Sequence, residues 1–201
     1  MSSVAAPFGL RPIGRLDNGS LEVFRQYPIA SAYNTNIAMG DIVQLVDGGA
    51  ATTIEKQSAT GDDTTAIDMV GVFMGCKYTD PNLGYELYSQ SYPAGTVASD
   101  IEAYVADATE LLFKAAVVSS GTTIGDLAIT DIGANVAGVD NTGDSTSGNS
   151  RGAISDTSAT TATLPFRIIG LVEETKNSSG GYTEAYVKWN AGHQYNNTTG
   201  V

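Results

Sequence analysis

The sequence predicts an all-β protein: a single compact β-barrel or β-sandwich-like domain with an extended N-terminal arm and a long polar loop. Three observations point there. Helix-favouring Glu, Lys, Leu and Arg are scarce while Thr, Val, Ile, Tyr and Gly are plentiful, a balance that suits short strands and many turns. Apolar runs are short and often alternate with polar residues. Clusters of Gly, Pro, Asn and Asp punctuate those runs at strand-length intervals. With 201 residues the chain is long enough to bury a substantial core.

Residues 1–20 read as an arm, since "AAPFGLRPIGR" joins two prolines, Phe8, Leu10 and two arginines without a helix cap or regular alternation. A β-domain follows over 21–190. "LEVFRQYPIAS" (21–31) alternates and runs into Pro28, which makes it an edge strand at best. "GDIVQLV" (40–46) is a strand bounded by glycines. "DMVGVFMGCKY" (68–78), the most apolar stretch, reads as a buried strand whose Gly71 and Gly75 suggest a bulge or close backbone contact. "TDPNLG" (79–84) is a turn, and "YELYSQSY" (85–92) alternates again. "IEAYVA" and "LLFKAAVV" around "DATE" predict a hairpin over 101–118, and "FRIIGLVEE" and "YTEAYVKWN" predict a second over 166–190. Between them, residues 119–163 are nearly free of large apolar groups and predict a long Ser/Thr/Gly-rich surface loop, with a short helix near 125–129. Residues 191–201 form a polar, extended tail. One echo runs through the chain: "MGDIVQLVDGG" leads to "MVGVFMGCKYT" as "IGDLAITDIGA" leads to "IIGLVEETKN". It is either a duplicated β-unit or the recurring grammar of β-barrels.

The net charge is −12, and residues 1–25 carry +1 of it from Arg11, Arg15 and Arg25 against Asp17 and Glu22, which leaves −13 for the rest. So acidic a surface repels phosphate backbones and argues against nucleic acid as a partner. No apolar run approaches the ~18 residues of a membrane span, and no signal peptide opens the chain, so synthesis in a cytoplasm and no membrane are expected. Cys76 is the only cysteine, which excludes an intrachain disulfide and reads as a small buried hydrophobe.

No nucleotide-binding glycine loop, nucleophile elbow or H-E-x-x-H motif occurs, and His193 is the only histidine, a tail contact or bystander. Oxygen ligands for calcium are offered by Asp140, Asn141, Asp144 and Asn149 and by Asp62 and Asp63. No bidentate Glu closes either group, so solvated acidic loops are the expectation. Glu173 and Glu174 would point to opposite faces of a strand and cannot share a substrate. No catalytic residue, metal or cofactor is therefore expected. Trp189 reads as core. Tyr78, Tyr85, Tyr88 and Tyr92, around the 79–84 turn, suit an interface cluster and ordinary sheet faces equally.

"APFGLRPIGR", "YPIASAYNTNIAMGDIVQL", "GVFMGCKYTDP", "LPFRIIGLVEE" and "HQYNNTTGV" resemble structural proteins of tailed bacteriophages, notably marine ones, of the capsid decoration or cement kind. The resemblance implies a non-enzymatic, all-β virion protein on the capsid exterior. It would stabilise the head by binding the major capsid protein, as a homo-oligomer (dimer or trimer). It also implies a use for the arm: Pro7 and Pro12 pre-order it, Phe8 and Leu10 anchor in apolar pockets, and Arg11 and Arg15 pair with acidic groups on the shell or a sister subunit. The alternative is a head-fibre or tail-associated module that recognises host-surface glycans through the 119–163 loop.

Overall fold

A computed structural model describes residues 7–20, 24–46, 53–61, 66–175 and 183–196. In chain order its strands are β1 (Arg11–Arg15), β2 (Phe24–Pro28), β3 (Ile42–Leu45), β4 (Ile54–Lys56), β5 (Gly71–Thr79), β6 (Glu86–Ser89) and β7 (Glu102–Ala106). Then come β8 (Leu111–Ser120), β9 (Thr123–Ile124), β10 (Asn135–Val139), β11 (Ala153–Ala159), β12 (Phe166–Leu171) and β13 (Glu184–Trp189). One 3₁₀ turn, Ile129–Asp131, is the only helical element among the described residues. The all-β class is as the composition predicts.

The strands form two sheets that use one topology twice. In the first the order is β2-β7-β5-β3-β4, and a parallel bridge between Ile29 and Ile54 joins the end of β2 to β4. In the second the order is β8-β11-β10-β12-β13, closed into a barrel by β13 pairing with β8. Within each unit the first and third strands meet in parallel and all other neighbours are antiparallel.

The register repeats as well. Ile42 faces Val72 and Val43 faces Gly71, as Asn135 faces Arg167 and Val136 faces Phe166. Phe73 and Gly75 flank a bulge opposite Val105 and Tyr104, as Ile168 and Gly170 flank one opposite Val187 and Tyr186. The last strand of each unit carries the same tetrapeptide at equivalent places, Glu102-Ala103-Tyr104-Val105 and Glu184-Ala185-Tyr186-Val187. Just outside the ladders, the Ile29 N–H donates to the Ile101 carbonyl at 3.2 Å and the Val117 N–H to the Thr183 carbonyl at 2.9 Å. The echo noted in the sequence is thus a duplicated unit, with a different alignment. Gly170 corresponds to Gly75, not Gly71, and the strand equivalent to β3 is β10, not the Gly125-Asp126 segment.

The interior of the first unit is Ile29, Val43, Leu45, Ile54, Phe73, Cys76, Ala103 and Val105. That of the second is built on Phe113, Val117, Val136, Ile154, Phe166, Ile168, Val187 and Trp189. Trp189 stacks on Phe166 at 5.5 Å between centroids and meets Phe113 edge-on at 4.7 Å. Leu10, Ile67, Met69, Val72 and Ala106 belong to the second cluster too, so an apolar seam runs between the units.

Four expectations change. The hairpin over 101–118 does not form: β7 ends the first unit, β8 begins the second, and each finds its partners within its own unit. The hairpin of β12 and β13 does form, Phe166 opposite Trp189; its turn lies largely outside the described residues. Residues 119–163 are not one long loop. They contain β9, the 3₁₀ turn, β10 and β11, because a strand inside a closed barrel needs few large side chains when its backbone is paired on both edges. The helix expected at 125–129 is displaced to the 3₁₀ turn at Ile129–Asp131. Finally, the tail is packed in as far as it is described: the Gln194 N–H donates to the Met69 carbonyl at 2.7 Å, and its side-chain oxygen accepts the Leu45 N–H at 2.8 Å.

Candidate interaction surface

The N-terminal segment lies along the chain's own body. β1 pairs antiparallel with β8, Arg11 opposite Lys114 and Arg15 opposite Leu111. The Gly9 N–H donates to Gly152 at 2.9 Å and the Leu10 N–H to Gly40 at 3.0 Å. Gly9 sits at φ 78° in a slot where a Cβ would lie 2.6 Å from that of Ser150, so only glycine fits this entry to the strand. Pro7 and Leu10 are buried and Phe8 is half-buried, with the Lys114 ammonium 5.9 Å from its ring centroid. Arg11 donates to Asn149 at 2.8 Å, and Arg15 forms a two-point contact with Asp17 at 2.8 and 2.5 Å. That contact holds the Asp17 carboxyl down to about 2. The anchors expected to reach another molecule are thus engaged internally. Pro12, half-buried, sits in the ladder itself opposite Phe113. Ile13 and Leu16 remain exposed. Residues 1–6 lie outside the described residues.

The four tyrosines divide. Tyr78 and Tyr92 are 6% and 0% exposed and belong to the first unit's core, and the Tyr92 hydroxyl donates to the Tyr33 carbonyl at 3.0 Å. Tyr85 and Tyr88 are 56% and 67% exposed, on the hairpin of β5 and β6, with Leu83 at its turn 57% exposed. The turn is stiff. Asp80 accepts the Asn82 N–H at 2.8 Å and the Leu83 N–H at 3.0 Å, and backbone bonds join Asp80 to Tyr85 and Gly84 to Asp80. Asp100 braces the flank by accepting the Thr79 hydroxyl at 2.7 Å, which draws its carboxyl below the usual range. Lys77 bridges to Glu102 at 3.0 Å. At the root of the hairpin Gly75 has φ 137°, and a Cβ there would sit 3.0 Å from the Ser89 carbonyl oxygen. Among the described residues, β6 has no equivalent strand in the second unit. This hairpin is therefore an addition to the repeated framework that holds large apolar groups rigidly in water.

A groove of about 550 Å³ is lined by Asn36, Lys56, Ser91, Tyr92, Thr142 and Asp144, among others. The amine of the half-buried Lys56 lies 3.0 Å from Asp140 and 3.6 Å from Asp41. Burial works against the ammonium, but the two carboxylates outweigh it and hold its pKa above the usual lysine range. Burial pushes Asp41 up. Of the other residues considered for calcium, Asp144 and Asn149 use side-chain oxygens within the protein, whereas Asn141 is held through its amide nitrogen. Asn141 donates to Gly121 and Arg151, Asp144 accepts the Thr146 and Ser147 N–H groups, and Asn149 accepts Arg11 and Gln90. Asp62 and Asp63 lie outside the described residues. No group of three or more His, Cys, Asp and Glu is placed to hold a metal among the described residues. Nor is any described helix long and apolar enough to cross a membrane.

Of the two readings of His193, tail contact or bystander, the structure has the contact. The imidazole is buried against Trp189 and Tyr195, at 5.6 and 5.9 Å between ring centroids, and burial lowers its pKa. Nearby, the Tyr27 hydroxyl donates to the buried Asp107 at 2.7 Å and shares a 2.5 Å contact with the Tyr195 hydroxyl, tying β2 to the tail. The Cys76 thiol is buried and pushed up to about 12, which leaves it unreactive. None of these groups combines a nucleophile, a base and an open cleft. The hairpin gathers three large apolar groups whose exposure the stability of the chain does not account for; Val97 and Ile129 stand exposed elsewhere.

Comparison with known families, curated proteins and solved structures finds no match to this chain.

Proposed function

We propose that the protein is a non-enzymatic virion structural protein that decorates the exterior of a tailed-phage head and stabilises it by binding the major capsid protein. The sequence resemblance suggests this role, and the observation that carries it is the braced β5–β6 hairpin with Leu83, Tyr85 and Tyr88 in solvent. Ordered, exposed aromatic groups on a rigid frame lose little entropy on docking and make good contact anchors. The two units would serve as a spacer that fixes the hairpin's direction. The acidic body suits the outside of a shell better than a surface facing DNA. A homo-oligomer, dimer or trimer, would set several hairpins around one symmetry axis.

The test is binding of the double variant Leu83→Ser with Tyr85→Ser to particles that lack the native protein. Its thermal stability should stay near that of the native chain, because both groups are already exposed, while its retention on particles should drop at least tenfold. Unchanged retention would remove the hairpin from the interface.

A glycan-binding role on a head fibre or tail is the second reading, favoured by the polar groove beside Asn36, Ser91, Thr142 and Asp144. Tyr92 on its wall is fully buried and offers no open ring face for a sugar.

A further inference from the structure

The two copies of the unit also differ in what covers the outer edge of their first strand. In the second unit, the edge of β8 that faces away from β13 receives β1: Arg11 lies opposite Lys114, Pro12 opposite Phe113 and Gly14 opposite Leu112. The ladders identify the counterpart positions in the first unit. Lys114 faces Tyr186 as Gln26 faces Tyr104, Phe113 faces Val187 as Arg25 faces Val105, and Leu112 is therefore equivalent to Phe24. Among the described residues, β7 is the only strand with which β2 forms a ladder, and just the bridge from Ile29 to Ile54 touches its other edge. The Ile29 N–H points to β7, where it meets Ile101, so by the alternation of an antiparallel strand the backbone groups of Phe24 and Gln26 point the other way. Phe24, Arg25, Gln26 and Pro28 are all exposed.

The geometry points to this edge of β2, Phe24–Gln26, as a docking site for an extended, net-basic segment of another polypeptide, added antiparallel as a further strand in the place that β1 takes on β8. Two observations define the occupant's chemistry. The strand that fills the equivalent edge, Arg-Pro-Ile-Gly-Arg, carries two cations and no acid. The chain beyond residue 25 carries −13, so a basic segment is drawn to it and an acidic one repelled. The exposed Phe24 ring supplies a cross-strand apolar contact. Each chain has one β1 and two equivalent edges, so the second strand has to come from elsewhere. Pro28 lacks an N–H, and Ile29 is already bridged to β4. The new ladder is thus as short as the one β1 makes, and its binding is correspondingly modest.

The probe is a synthetic peptide with the sequence of residues 8–16, FGLRPIGRL, added in trans to the full chain and followed by amide hydrogen exchange. In the free protein the Phe24 and Gln26 amides should exchange rapidly and those of Leu112 and Lys114 slowly. With about 1 mM peptide, the Phe24 and Gln26 amides should become protected at least tenfold. Gln26→Pro, which removes an outward N–H, should abolish the gain at Phe24, and a peptide with both arginines replaced by glutamate, which leaves the protein untouched, should abolish it at both amides. Three results would overturn the proposal: Phe24 and Gln26 protected already in the free monomer, no protection from the peptide, or equal protection from the acidic peptide. Protection that grows with protein concentration alone would also overturn it, because a second copy would then be the occupant.

Discussion

Leu10 and Leu16 flank the same short strand and face opposite surroundings. Leu10 is buried in the seam between the two units, whereas Leu16 is exposed at the far end of β1. Leu10→Ala should therefore cost about 2–5 kcal/mol of unfolding free energy, and Leu16→Ser no more than about 0.5 kcal/mol, as measured by urea denaturation. His193 ties stability to pH. Burial keeps its folded pKa below the ordinary value of 6.5, so on acidification the unfolded chain takes up a proton before the folded one does. The stability that neutral His193 allows is complete above pH 6.5 and falls below it, by at most roughly 1.4 kcal/mol per pH unit. His193→Phe, which keeps an aromatic ring against Trp189, should flatten the melting temperature between pH 6.5 and 5 relative to the native chain. An identical acid limb in the variant would show that other groups set it.

At the level of elements, β1 is a structural strand of the second unit and not a free arm. Truncation to residues 16–201 should lower the melting temperature of the isolated protein, since it removes Leu10 from the core and opens the β8 edge. A loss of at least about 2 kcal/mol is expected from the buried leucine alone. An unchanged melting curve would return these residues to the role of an arm. The strands with strong apolar runs, β3, β5, β12 and β13, were legible in the sequence, as was the pairing of β12 with β13. β10 and β11 were not, because Asn135, Gly138 and the Ser/Thr of "AISDTSA" look like loop chemistry, and only Val136 and Ile154 mark their inward faces. The hairpin expected over 101–118 failed for a related reason: proximity in sequence suggested pairing, but "DATE" is the joint between two complete units. The signal that would have exposed this is the repeated Glu-Ala-Tyr-Val at 102 and 184, which sets the period of the chain more firmly than the Gly-Asp echo does.

At the scale of the whole molecule, a closed barrel and a register-matched sheet share an apolar seam, and the differences between them carry the candidate functions. The framework is common to both units. Among the described residues, the β5–β6 hairpin occurs in the first alone, and the strand covering the β8 edge lacks a counterpart on β2. Of the candidate surface, the sequence indicated the neighbourhood of the 79–84 turn. It could not separate Tyr85 and Tyr88 from Tyr78 and Tyr92, since burial depended on a bulge at Gly75 and on how the strand after it sits against β5. A lattice-wide role in a phage head is tested most directly by the copy number of the protein in purified particles, counted by quantitative mass spectrometry against the major shell protein. A simple integer ratio to the shell protein is the predicted result. A handful of copies per particle would contradict it and place the protein at a vertex, neck or tail.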